Sequence, residues 1–245
     1  MKKLISLVIV VLALMSFVAP EEPVTIFMIG DSTMANKSLK GENQERGWGM
    51  VLAEHLQGNI RVSNHAQNGR STKSFIDEGR WDSVMAQIRP GDYVFIQFGH
   101  NDAKADEKRH TDPYTTFKAN LQRFVREAKS KGAKPVIYSS IVRRHFEGDS
   151  LTDTHGDYIK VPVIVAQEEG IPYVDANKLT EDLVNCYGPE ESKKLYMWIE
   201  PETYPFAPKG KKDDTHLNIF GANVVANILI HATAQEVPEL YKYLK

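Results

Sequence analysis

Ser32 closes the apolar run Ile26-Phe27-Met28-Ile29 through the turn residues Gly30-Asp31, and Lys212-Asp213-Asp214-Thr215-His216-Leu217 lies near the other end of the chain. A hydroxyl, an imidazole and a carboxylate are the parts of nucleophilic acyl transfer: the base takes the hydroxyl proton, and the acid holds the base in its working tautomer. Asp213 stands three residues before His216, within reach of its ring, and Asp214 is a second candidate for the same task. Each piece also has an ordinary reading. Asp-Ser after a strand is a common turn or helix cap, and an acidic pair suits the start of the helical pattern through Val224, Val225, Ile228 and Leu229.

Two more segments follow plausible strands and carry turn chemistry with hydrogen-bond donors. They are Asn64-His65-Ala66-Gln67-Asn68-Gly69-Arg70-Ser71-Thr72 and Phe95-Ile96-Gln97-Phe98-Gly99-His100-Asn101-Asp102. Attack on an ester builds a tetrahedral oxyanion, and one preorganised donor to it is worth about 3 to 4 kcal/mol. The backbone amides of Ser32 and Gly69 and the side-chain amide of Asn101 are the candidates for that oxyanion hole. Taken singly, Asn68-Gly69 reads as a turn and Asn101-Asp102 as a helix start.

The elements that must position these groups are legible as alternating patterns. Apolar runs at Val24 to Ile29, Ile60 to Ser63, Tyr93 to Phe98, Pro135 to Ser140 and Pro172 to Val174 read as strands. Helical spacing covers Met50 to Leu56, Trp81 to Ile88, Phe117 to Lys131, Tyr158 to Glu169, Asn177 to Tyr187 and Leu217 to Thr233. Strands alternating with helices predict a three-layer α/β/α sandwich around a five-stranded parallel sheet, with ligands met at the carboxyl ends of the strands. Lys104 to Pro113 and the proline-rich Trp198 to Lys212 read either as substrate walls or as plain connections.

The chain has 245 residues, 42% of them hydrophobic and 25% charged, which suits one folded domain. A net charge of −2 offers no basic field for nucleic acid. Lys2-Lys3 followed by the apolar run Leu4 to Val18 reads as an export signal over residues 1–19, with an uncleaved anchor as the alternative. The remaining residues, 20–245, are then expected as a secreted or periplasmic monomer without stable membrane association. Cys186 is the single cysteine, so no intramolecular disulfide is available, and it is expected as a small buried apolar residue.

Other hydrolytic architectures lack their marks. Met34 stands where a Gly-x-Ser-x-Gly elbow would need its second glycine, and there is neither a His-Glu-x-x-His pair nor a second cysteine for zinc. Gly30-Asp31-Ser32 lacks dinucleotide-binding glycine spacing, and no carboxylate pair stands out as a glycosidase dyad.

Gly30-Asp31-Ser32-Thr33, Gly47-Trp48-Gly49, Gly69-Arg70-Ser71-Thr72, Gln97 to Asp102 and Asp214-Thr215-His216, in this order, resemble the blocks of the SGNH or GDSL hydrolases, and among them the rhamnogalacturonan acetylesterase-like branch. The resemblance spans nearly the whole chain after the signal. It implies a flavodoxin-like sheet, a Ser32 nucleophile, a His216 base oriented by Asp213, an oxyanion hole of Ser32, Gly69 and Asn101, and no cofactor or metal. The implied substrate is an acetylated pectic polysaccharide or oligosaccharide. Alternatives are a xylan acetylesterase, a lipase or thioesterase of the same fold, or a catalytically silent carbohydrate-binding protein.

An acidic sugar gives a further set of candidates. Arg70, together with Arg80, offers a fork for a galacturonate carboxylate, or else braces its own loop against a nearby acid. Trp48 beside two glycines, and less so Trp81 and Tyr204, offer flat rings for a pyranose. His155 next to Asp153 and Asp157 is a rival base or a substrate ligand, and His100 either lines the site or bonds within its loop.

Overall fold

The computed structural model describes residues 22–245. The export-signal reading of residues 1–19 therefore lies outside the described residues.

Five short runs of branched and aromatic residues form one parallel sheet: β1 Val24–Gly30, β2 Ile60–Asn64, β3 Tyr93–Gln97, β4 Lys134–Tyr138 and β7 Tyr173–Val174. Their order is β2-β1-β3-β4-β7, with β1 in register against Ile60–Asn64 on one side and Tyr93–Gln97 on the other. The order reverses at β1. The crevice between β1 and β3 is therefore the switch point at which such sheets hold ligands.

Alternation along the strands sorts side chains into two cores. Ile26, Met28, Tyr93, Phe95, Val136 and Tyr138 face one side, whereas Phe27, Ile29, Val94, Ile96 and Ile137 face the other. A sheet apolar on both faces must be covered on both. The first face is packed by α1 (Trp48–Val51), α6 (Ala176–Glu191) and α7 (Ile219–Glu236), the second by α2 (Thr72–Asp77), α3 (Arg80–Met85), α4 (Lys118–Ser130) and α5 (Val161–Glu169). Phe124 of α4 shows how tightly the second layer closes, with Phe75, Trp81 and Phe98 rings around it at 6.3, 5.0 and 5.6 Å between centroids. Truncating such a side chain costs about 3 to 5 kcal/mol.

The structure corrects several sequence expectations and adds elements that the sequence did not announce. The helix expected from Met50 to Leu56 begins at Trp48 and tightens into a 3-10 turn over Leu52–His55, while Thr72–Asp77, not foreseen, is helical. There Ser71 caps the helix and Ser74 returns the bond to the Ser71 amide, a serine pair in place of the usual acidic partner. Lys211–Leu217 is a strand, β9, paired antiparallel with β8 (Tyr196–Ile199), and the last helix starts only at Ile219 under an Asn218 cap. A small β5–β6 hairpin (Phe146–Glu147, Ser150–Leu151) follows β4. Cys186 is exposed, because Val184 and not Cys186 takes the inward position on α6.

Candidate active site

Ser32 follows β1 directly. The Asp31 carbonyl accepts from the Ala35 amide at 3.1 Å, closing a tight turn that leaves Ser32 half-buried between fully buried neighbours. A chain of side-chain hydrogen bonds beneath the turn holds it. Thr33 donates its hydroxyl to Asp31 Oδ1 at 2.8 Å, Gln97 Nε2 donates to Thr33 Oγ1 at 2.7 Å, and the Trp48 indole donates to Gln97 Oε1 at 2.7 Å. All lie out of water, where an unpaired member would cost about 1 to 3 kcal/mol.

His216 reaches Ser32 through an irregularity in β9. Ile199, Trp198 and Met197 pair with Lys211, Lys212 and Asp213, but the next β8 residue, Tyr196, pairs with Leu217. Asp214, Thr215 and His216 are thus looped out. In a regular strand residues three apart face opposite ways, and the bulge turns His216 back over Asp213. Its Nδ1 lies 2.8 Å from Asp213 Oδ2, and its Nε2 lies 2.8 Å from Ser32 Oγ. A carboxylate can only accept, so the proton sits on Nδ1 and leaves Nε2 free to take the Ser32 proton. Asp213 Oδ1 accepts from the Thr215 and His216 amides at 2.9 and 3.0 Å. Burial by itself would raise this carboxyl; the His216 ring and those two amides more than offset it and hold Asp213 well below the usual range.

Asp214, the alternative orienter, faces elsewhere. Its Oδ1 takes Arg144 Nη1 at 2.5 Å and the Trp198 indole at 2.8 Å.

The candidate oxyanion donors come from two neighbouring loops. Gly69 has φ +75°, a left-handed conformation that glycine adopts without strain, and the Gln67 amide ties this turn to the Gly30 carbonyl at 2.9 Å. Asn101 Nδ2 donates to the Arg70 carbonyl at 3.1 Å, which spans the two loops. The residues on either side of Asn101 are anchored too. His100 Nδ1 lies 3.1 Å from Asp31 Oδ2, and Asp102 accepts from the Thr72 amide at 3.0 Å and the Thr111 hydroxyl at 3.1 Å. The neighbours of Ser32, of Asn101 and of the Gly69 turn are therefore locked to one another.

Burial would raise Asp31, but His100 and the Thr33 amide and hydroxyl bring it down to about 2. Burial lowers His100, which stays a neutral donor to that carboxylate. Asp102 faces no cation, and burial pushes it up to about 7 against the pull of its Thr72 and Thr111 donors.

The candidate sugar contacts fare differently. Trp48 is 1% exposed and has no face for a sugar. The glycine at its N-terminal side serves packing, since a Cβ at Gly47 would lie 2.4 Å from the Ala35 carbonyl oxygen. Trp81 is equally buried. His100 and His155 are 3% and 4% exposed, stacked edge to face at 4.6 Å, and out of a substrate's reach. Burial pushes His155 far down, and neither of its ring nitrogens has a hydrogen-bond partner, so it is not a rival base. Arg70 Nε sits 3.1 and 3.0 Å from the two Glu78 oxygens, and Arg80 reaches the same carboxylate at 2.5 Å. The fork expected for a galacturonate is occupied as a brace. Tyr204 lines a groove with Trp198, Ile219 and Phe220, the last 52% exposed.

Sequence reasoning missed Gln97 as the bracket under Ser32, and missed Lys37, Glu45 and Lys211, which gather behind Asp213. Gln97 carried a signal, a polar residue at the end of an apolar strand; the lysines carried none.

Residues 28–222 match the model of the GDSL-like lipase/acylhydrolase family. Rhamnogalacturonan acetylesterase RhgT of Bacillus subtilis is 39% identical over 226 residues, 92% of this chain and 94% of that protein. A rhamnogalacturonan acetylesterase of Emericella nidulans is 28% identical over 228 residues, 85% of this chain and 84% of its own. Among solved structures, protein YXIM of Bacillus subtilis superposes with a TM-score of 0.72 at 26% identity, over 89% of this chain and 57% of that longer one. An acetylxylan esterase from Geobacillus stearothermophilus shares the fold, with a TM-score of 0.58 at 20% identity over 89% of this chain and 96% of its own.

Proposed function

The chain belongs to the GDSL-like lipase/acylhydrolase family, and on that premise we propose that it is a serine esterase removing O-acetyl groups from a pectic polysaccharide of the rhamnogalacturonan type. One observation carries the reaction: Ser32 Oγ, His216 Nε2 and Nδ1, and Asp213 Oδ2 form an unbroken line of two 2.8 Å contacts. The rhamnogalacturonan acetylesterase RhgT, 39% identical over 92% of the chain, and YesY of Bacillus subtilis, printed as a probable rhamnogalacturonan acetylesterase and 34% identical over 83% of it, support the substrate class.

The chemistry follows from the geometry. Ser32 Oγ attacks the acetyl carbonyl as its proton passes to His216 Nε2, and the charge that appears on the imidazolium is met by Asp213. The oxyanion is received by the Ser32 and Gly69 amides and by the Asn101 Nδ2 proton that is not committed to the Arg70 carbonyl. His216 then protonates the departing sugar hydroxyl, giving an acetyl-enzyme. Water attacks that ester with His216 as base, and acetate leaves. The residues need no metal for these steps. No described helix is long and apolar enough to cross a membrane. Residues 1–19 as an export signal, 20–245 as one domain, and a monomeric secreted or periplasmic enzyme complete the proposal.

The test is acetate release from acetylated rhamnogalacturonan, acetylated xylan and a chromogenic acetate ester by the wild type and by Ser32→Ala. The proposal expects release chiefly from the pectic polymer and a loss on the order of 10⁴-fold or more in the variant. Release from xylan in preference would overturn the substrate, and an active Ser32→Ala would overturn the mechanism.

A further inference from the structure

Behind Asp213 the structure spends several charges on one place. Lys37, whose side chain is 3% exposed, donates to Asn68 Oδ1 at 2.7 Å and stands 2.8 Å from Glu45 Oε1. Glu45 Oε2 takes Lys211 Nζ at 2.9 Å. Lys211 Nζ in turn lies 3.1 Å from Asp213 Oδ2, the same oxygen that receives His216 Nδ1. A single polar line thus runs from Asn68, next to Gly69, through Lys37, Glu45, Lys211, Asp213 and His216 to Ser32.

Stability is a poor reason for such an arrangement. Burying an ammonium costs several kcal/mol, and well-packed apolar residues in place of buried ion pairs are often neutral or stabilising. Burial accordingly pulls Lys37 down even with Glu45 beside it. What the line does supply is geometry: with Lys211 on Oδ2 and two amides on Oδ1, the Asp213 carboxylate has no freedom to rotate away from His216.

We propose that Lys37, Glu45 and Lys211 are positioning residues for this esterase, coupling the Asp213–His216 pair to the Gly69 turn so that base and oxyanion donors keep their spacing. The proposal rests on the roles given above to Ser32, Asp213 and His216. It also sets the electrostatics of the base. Lys211 is a cation beside the pair and opposes protonation of the imidazole; Glu45 is the anion that offsets Lys211 and Lys37. The other charges facing this region are Asp31, His100 and Arg143 from the loops after β1, β3 and β4, and Asp214, which is matched by Arg144. None of these changes in the variants below.

The experiment is a pH profile of kcat/KM on a chromogenic acetate ester for the wild type, Lys211→Met, Lys211→Arg, Glu45→Gln and Ser32→Ala, with Tm measured for each. Lys211→Met is expected to lower kcat about tenfold with KM within about twofold. Its acid limb should move up by about half a pH unit, and that of Glu45→Gln should move down by a similar amount. Lys211→Arg, which keeps the charge and the reach, should restore most of the rate. Wild-type kcat and unshifted limbs in both variants, or limbs that move in the same direction, overturn the proposal. So does activity lost only in proportion to lost Tm. An active Ser32→Ala would instead show that the reaction centre itself is wrong; an inactive one beside a silent Lys211→Met condemns the positioning role alone.

Discussion

Replacing Asp102 with Asn should remove a contribution to stability that declines as pH rises through the neutral range. The carboxyl is completely buried, and burial lifts it from an ordinary 3.8 to about 7. The folded state therefore holds the Asp102 proton over a range in which the unfolded chain has already released it. Stability contributed by the protonated form is complete below about pH 4, declines as pH rises through 7, and is flat above. At about 1.4 kcal/mol per unit, the full span is about 4 kcal/mol, of which about 3 kcal/mol falls between pH 5 and pH 8.

An amide does not titrate in this range, and an Asn carbonyl in the Oδ1 position keeps the acceptor for the Thr72 amide, the Thr72 hydroxyl and the Thr111 hydroxyl, now at 3.0, 2.5 and 3.1 Å. Urea denaturation of wild type and Asp102→Asn at both pH values provides the measurement. The wild type should lose about 3 kcal/mol more than the variant on going from pH 5 to pH 8. The same pH difference in both proteins would refute the reasoning, since Asp102 would then be ionised at ordinary acidity despite its burial. Esterase activity should survive in Asp102→Asn, because Thr72 and the turn before it stay tied to the Asn101 loop.

Asn101→Ala removes one oxyanion donor and the bond to the Arg70 carbonyl together; kcat should fall about 10²- to 10³-fold with little change in KM, measured by steady-state kinetics on a soluble acetate ester. Arg70→Met removes a partly exposed brace to Glu78 worth about 1 kcal/mol or less, so turnover of acetylated pectin and of the neutral ester should fall equally, by no more than about fivefold. A loss confined to the pectic substrate would show that the arginine leaves Glu78 to bind a sugar carboxylate.

The central strands β1 and β3 were legible because burial on both faces leaves a local mark, an apolar run ended by Gly or a polar residue, whereas the edge strand β2, with Arg61 exposed, carries a weaker one. Long helices such as α4 and α7 were legible for the same kind of reason. Short elements were not: α2 depends on a serine capping pair and a tether to Asp102, and the β8–β9 hairpin carries Lys-Lys-Asp-Asp-Thr-His, a string with no strand signature. β9 is a strand only because Tyr196–Ile199 is there to pair with it.

For the candidate site the same division holds. The order of the blocks around Ser32, Gly69, Asn101 and His216, together with the types of those residues, could be read directly from the chain, since nucleophile, base and donors must be particular side chains. Which flat rings and imidazoles face water could not, because Trp48 in the core and Trp198 at a surface groove look alike as letters. Nor could the choice of Asp213 over Asp214. That rests on a bulge that turns one acid toward His216 and leaves the other to Arg144 and Trp198. The sequence by itself determined the parallel sheet and the kinds of group at its carboxyl edge, because hydrophobic period and residue chemistry are local properties. Only the tertiary structure decided which charges meet, as Lys37, Glu45, Lys211 and Asp213 do, because those contacts depend on how loops far apart in the chain close over one crevice.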